Sequence, residues 1–171
     1  MDFSIPRPSV NLEMMKVLLL FCLTGALSAQ VLRVDQAFGG MECASCADFI
    51  KKKLENKPGV KSVEVDTKKG VVSVLLDPDN NVKPQLIRDW VQQSGYQTKD
   101  TTIHAIGVVD VNRGVMTLKI DGKDMFTLLD HEFLLRESIK RKLEVTGVLE
   151  KAKLAGADIE ALSIKSTKPA K

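Results

Sequence analysis

Between residues 31 and 101 the spacing of apolar residues switches repeatedly between period two and the helical period, and that order leaves few folds open. Leu32, Val34 and Phe38 fall on one face of a strand, and Gly39-Gly40 break it. From Cys46 the repeat becomes helical, with Cys46, Phe49, Ile50 and Leu54 at i, i+3, i+4 and i+8. Pro58-Gly59 ends that helix. Val63 and Val65 then share one strand face, with Glu64 and Asp66 on the other. Lys69-Gly70 is a turn into a third strand, Val72, Val74 and Leu76, and Asp77-Pro78-Asp79-Asn80 is a loop. Leu86, Ile87, Trp90 and Val91 mark a second amphipathic helix closed by Gly95, and a short fourth strand starts from Tyr96. Strand, helix, strand, strand, helix, strand is the order of a ferredoxin-like sandwich, an α+β fold.

The chemistry-bearing motif lies where the first strand gives way to the first helix. Gly40-Met41-Glu42-Cys43-Ala44-Ser45-Cys46 places two cysteines three residues apart. Two thiolates that close chelate a soft ion, and sulfur ligands select Cu(I), Zn(II) and similar metals. The spacing alone equally suits a thiol redox pair. Cys43 falls in the loop and Cys46 at the first helical turn, where unpaired N–H groups and the helix dipole favour anions. Both effects favour the thiolate, which is the metal-binding form. Ala44 and Ser45 are small enough for the loop to wrap an ion.

With these residues in place, the segment resembles the heavy-metal-associated domain family. That family includes small metallochaperones, metal-binding modules of metal-transporting P-type ATPases and mercury-binding periplasmic proteins. The matching positions are Gly40-Met41, Cys43, Cys46, Ile50, Pro58-Gly59-Val60, Val63 with Val65, Asp77-Pro78 and Gly95-Tyr96. The resemblance implies Cys43 and Cys46 as metal ligands, with copper(I) foremost and zinc, cadmium or mercury as alternatives. It implies a carrier rather than an enzyme, passing its ion by ligand exchange to a metal-transporting ATPase or efflux component. It also implies that Met41 packs under the loop instead of ligating. Tyr96 matches a position that flanks the metal, where it either shields the site or serves as a core-edge aromatic. Glu42 stands where copper-binding members commonly carry Thr or Ser and divalent-metal members often carry an acid. It either biases the site toward divalent ions or is a solvated loop acid. Gln36 and Lys57 depart from the family, which usually has apolar residues there, so packing is expected to differ around them.

Residues 102–166 carry no motif of obvious chemistry. Ile103–Val111, Val115–Ile120 and Met125–Leu129 read as strands, with turns at Asn112-Arg113-Gly114 and Asp121-Gly122. A short helix is expected from about His131 to Lys142, from Phe133, Leu134, Ile139 and Leu143. Leu143–Leu149 and Ile159–Ile164 alternate as two more strands. Three strands, a helix and two strands is the order of a small OB-like β-barrel, which this part resembles on pattern alone. His104, Met116, Met125 and His131 are the residues from which a second soft-metal site would be built, although methionines more often fill cores. Residues 167–171 read as a flexible tail.

Ahead of both parts, Lys16 precedes the apolar run Val17–Leu23 and then small residues through Ala26, Ser28 and Ala29. That is the order of a secretory signal peptide, cleaved after Ala29 or Ser28, and residues 1–29 are assigned to it and to an N-terminal extension. Met14 and Met15 offer better starts than Met1. The run is too short to span a bilayer well, which needs roughly 20 apolar residues; the alternative is an N-terminal membrane anchor that stays attached. A periplasmic or secreted protein without stable membrane insertion is therefore expected, and Cys22 leaves with the leader. Export brings oxidising surroundings, so Cys43 and Cys46 are open to disulfide formation.

Composition excludes other classes. The 171 residues carry 25 basic and 22 acidic side chains, a net charge of +3 with no concentrated basic face. Aromatic residues make up 5%, too few for base-stacking platforms, so nucleic acid is not an expected partner. Two histidines in no triad pattern argue against a hydrolase. The rival from another class is a thiol-disulfide oxidoreductase, but the usual aromatic residue before the first cysteine is missing. A further alternative makes the first part an interaction scaffold and the barrel the working part.

Overall fold

The computed structural model describes residues 30–39, 44–78, 80–120, 124–129 and 136–170. The alternation of Val72, Val74 and Leu76 becomes β3 (Val71–Leu76), with all three side chains buried. On one side β3 pairs with β2 (Val60–Asp66), and on the other with β1 (Gln30–Gly39). β1 in turn pairs with β4 (Gln97–Asn112), and all three ladders are antiparallel. Helix α1 (Ala44–Glu55) packs against β2, and helix α2 (Pro84–Gln92) against β1 and β4. The order β2-β3-β1-β4 is the ferredoxin-like arrangement read from the sequence.

Three face assignments change. In β1 the buried residues are Val31, Val34, Gln36 and Phe38, whereas Leu32 is half-buried. Val31 and Val34 are three apart, which strict alternation forbids. A bulge between Val31 and Arg33 supplies the extra residue that brings both inward. In α1, Ile50 and Leu54 are fully buried but Phe49 is 59% exposed. At about 100° per residue, the seam runs through Cys46, Ala47, Ile50 and Leu54, and Phe49 falls outside it. In α2, Ile87 and Val91 are buried, Trp90 is partly buried and Leu86 is exposed.

The fourth strand is neither short nor separate from the strand expected at Ile103. β4 runs unbroken for 16 residues, and the junction expected between residues 101 and 102 falls inside it. Beyond its pairing with β1, β4 pairs with β5 (Val115–Ile120). β5 pairs with β6 (Asp124–Leu129), and β6 runs parallel to β8 (Ala157–Pro169). β8 pairs with β7 (Lys142–Leu154), and β7 returns to the other edge of β4, closing a circuit of five strands. Tight coiling of that circuit depends on two glycines. A Cβ on Gly107 would lie 2.7 Å from the Lys119 carbonyl oxygen, and one on Gly147 would lie 2.7 Å from that of Ser163. The buried side chains of both parts form one continuous core, from Val63 and Ile50 to Leu118, Val145 and Leu162.

The helix expected from His131 to Lys142 is not seen in its described part. Arg136–Ser138 form a single 3-10 turn, Ile139 is exposed and Lys142 already begins β7. Residues 131–135 and the Asp121-Gly122 hairpin lie outside the described residues. Thr167–Pro169, expected in a loose tail, continue β8 and pair with Leu143–Val145.

Candidate metal site at the start of the first helix

α1 begins at Ala44, so Cys46 sits in its first turn, as its place after the loop predicts. That turn contains no acidic residue, while Lys52 and Lys53 lie in the last turn. The positive end of the helix is therefore unopposed by its own side chains where the cysteine lies, which favours a thiolate there. Burial of Ile50 and Leu54 beneath α1 fixes the helix on the sheet, and Cys46 and Ala47 pack partly against the same core. Cys43, Met41 and Glu42 lie outside the described residues.

Cys46 is flanked on its other side by Tyr96. The Tyr96 hydroxyl donates a long hydrogen bond to the Cys46 carbonyl oxygen at 3.5 Å. Its ring packs on Phe38, with centroids 5.9 Å apart and planes tilted by 59°. The Phe38 N–H in turn donates to the Gly70 carbonyl in the β2–β3 turn at 2.8 Å. An aromatic pair from the end of β1 and the start of β4 thus borders the first turn of α1. Tyr96 thus touches both the core edge and the cysteine segment.

Cys46 is disulfide-bonded in this structure. A disulfide offers no thiolate, so metal capture requires its reduction.

The residues considered for a second soft site do not converge among the described residues. His104 has one ring nitrogen 3.0 Å from the Asp35 carboxylate and the other 3.0 Å from the Thr146 hydroxyl. Met116 instead packs against the core. The side chain of Met125 and all of His131 lie outside the description. No group of three or more His, Cys, Asp or Glu suited to a metal ion occurs among the described residues.

The two residues that departed from the expected apolar pattern both find partners. Lys57 carries its ammonium 5.4 Å from the Trp90 ring centroid, a cation–π contact at the end of α1. Gln36 is completely buried and fully hydrogen-bonded.

A cysteine in the first turn of the helix that follows β1, in a ferredoxin-like α+β unit, agrees with the resemblance read from the sequence. The model of the heavy-metal-associated domain matches residues 37–97. The copper chaperone CopZ of Staphylococcus aureus (strain bovine RF122 / ET3-1) is 34% identical over 70 residues, covering 41% of this chain and 96% of that protein. CopZ of strain JH9 is 33% identical over the same length. Among solved structures, a CopZ metallochaperone is 30% identical, covering 39% of this chain and 98% of that one, with a TM-score of 0.37. A copper binding domain from HMA7, a P-type ATPase, is 27% identical over 41% of this chain and 90% of that one, with a TM-score of 0.36. The chain belongs to the heavy-metal-associated domain family, and as such it is a metal-binding protein and not an enzyme.

Proposed function

We propose that the protein carries Cu(I) on the Cys43 and Cys46 thiolates and passes it to a partner by ligand exchange. The observation that carries this reading is the 34% identity to a copper chaperone over 96% of that chaperone's length. The position of Cys46 at an unopposed helix N-terminus supplies the physical support. A two-coordinate ion leaves room for an incoming third thiolate, so a partner with its own cysteine pair takes over one bond at a time. A metal-transporting ATPase or efflux component fits that requirement. Zn(II), Cd(II) and Hg(II) remain the competing ions, with Glu42 as the residue that would favour the divalent ones.

The cysteine spacing also suits a thiol-disulfide protein, whose reduced cysteine attacks a substrate disulfide. The two readings separate on metal affinity. Titration of the reduced protein with Cu(I) against a chromophoric chelator gives one-to-one, cysteine-dependent binding for a carrier and no competitive binding for a redox protein.

We read residues 31–101 as the metal-binding domain and 102–166 as an OB-like barrel. Support for the barrel comes from the closed circuit of β4, β5, β6, β8 and β7 with its one parallel pair. We further propose export to the periplasm or exterior, supported by the charged, apolar and small-residue order of residues 16–29. Among the described residues, no helix is long and apolar enough to cross a membrane.

A further inference from the structure

A fully buried glutamine costs free energy unless every polar atom is bonded, and Gln36 is 0% exposed. Its surroundings account for it. The β1–β4 ladder shifts register between Gln36, opposite Thr101, and Phe38, opposite Thr98. Two residues of β4, Lys99 and Asp100, thus face the single residue Ala37, a bulge that takes their carbonyls out of regular pairing. The Gln36 carboxamide fills that gap. Nε2 donates to the carbonyls of Ala37 at 2.8 Å, Lys99 at 3.1 Å and Asp100 at 3.3 Å. Oε1 accepts from the Thr101 hydroxyl at 2.7 Å. An apolar side chain would remove these hydrogen bonds.

The bulge lies beside the candidate metal site. One residue past Ala37 is Phe38, which packs on Tyr96, and Tyr96 reaches the Cys46 carbonyl. The network also extends the other way. Arg88 Nε donates to Thr101 Oγ1 at 3.3 Å, Arg88 Nη2 lies 2.6 Å from Glu160 Oε1, and Gln85 Nε2 donates to Glu160 Oε2 at 2.5 Å. One run of polar contacts therefore joins β1, β4, α2 and β8.

We infer that Gln36 is a positioning residue for the first turn of α1, where Cys46 lies: it holds the bulge that sets the ends of β1 and β4, and with them Phe38 and Tyr96, against that turn. Through Thr101, Arg88 and Glu160 it ties this geometry to the C-terminal hairpin. The role in metal binding rests on the proposed Cu(I) function, whereas the role in holding the strand ends does not.

The test uses the full chain, reduced, with Gln36→Met (equal length, no donor and only a weak thioether acceptor), Thr101→Val and Thr101→Ser. Amide exchange is measured without metal at Phe38, Gly39 and Thr98, with amides of β7 as the reference for global opening. Cu(I) affinity is measured by chelator competition. Gln36→Met is expected to speed exchange at the strand ends about fivefold relative to β7, the factor one hydrogen bond makes in an opening equilibrium. It should weaken Cu(I) by about the same factor. Thr101→Val should act in the same direction, and Thr101→Ser should match the wild type. Should Gln36→Met not fold, Thr101→Val against Thr101→Ser decides. Unchanged exchange at the strand ends, or acceleration equal to that in β7, overturns the positioning role. Local acceleration with unaltered Cu(I) affinity overturns its link to the metal. If the wild type itself binds no Cu(I), the proposed function fails, and exchange alone decides what Gln36 does.

Discussion

Arg88 on α2 and Glu160 on β8 form an ion pair at 2.6 Å, 72 positions apart in sequence, with both side chains about one-quarter exposed. The pair fastens the C-terminal hairpin onto a helix of the metal-binding half. β4 already joins the two halves covalently and a shared core packs them together, and this contact adds a polar link.

Removing either partner should cost about 1 kcal/mol, since the pair is partly shielded and reinforced by Gln85 and Thr101. Urea unfolding of Arg88→Ala, Glu160→Ala and the double variant checks this. A coupling energy near zero would mean that the two side chains are neighbours without mutual stabilisation.

The first helix offers a sharper contrast. Leu54→Ala should lose about 2–5 kcal/mol, because the side chain is fully buried. Phe49→Ala should lose less than about 1 kcal/mol, because the ring is exposed, with the Lys53 ammonium 6.0 Å from its centroid. Thermal denaturation of the two variants side by side separates the seam in the structure from the one that spacing alone suggests.

Residues such as Phe49 show where the sequence stops being legible. Val72, Val74 and Leu76, or Ile50 and Leu54, announce their faces because nothing disturbs the period. Phe49 sits at an allowed helical spacing, and spacing alone does not locate the centre of the buried stripe. Leu32 was misassigned because a bulge resets strand parity, and bulges leave no reliable mark in composition. The continuity of β4 was hidden by its polar start, Gln97-Thr98-Lys99-Asp100, which reads as a loop between two strands. At the site, the cysteine spacing was legible because its chemistry is local. Gln36 was visible only as an anomaly, since its partners are a distant bulge and a helix. A glutamine where the resembled family usually has an apolar residue was the available signal.

Gly107→Ala and Gly147→Ala should each destabilise by about 1–3 kcal/mol, since the added methyl meets a backbone oxygen at 2.7 Å in both cases. Calorimetry checks the size of the effect. Unchanged melting would mean that the five-strand circuit relaxes more readily than its pairing suggests.

Acid should weaken the second half through Asp110. Its carboxylate is nearly buried, 2.6 Å from the Lys119 ammonium and 2.5 Å from that of Lys140, and it accepts the Val111 N–H at 2.9 Å. The two lysines foremost, and then that backbone bond, hold its pKa well below the usual carboxylate range. A group with its folded pKa depressed adds stability above its unfolded value, about 3.9, and loses it as pH falls toward the folded one. Urea midpoints measured from pH 7 to pH 3 should therefore decline more steeply for the wild type than for Asp110→Asn. Parallel profiles would remove Asp110 from the acid response.

Joint binding of Cu(I) by Cys43 and Cys46 is tested most simply by titration. The reduced protein and its Cys43→Ser and Cys46→Ser variants are titrated with Cu(I) anaerobically, in competition with a chromophoric Cu(I) chelator. One equivalent should bind to the wild type, and competitive binding should be lost in either variant. Equal retention of Cu(I) by the variants, or none by the wild type, would contradict joint binding.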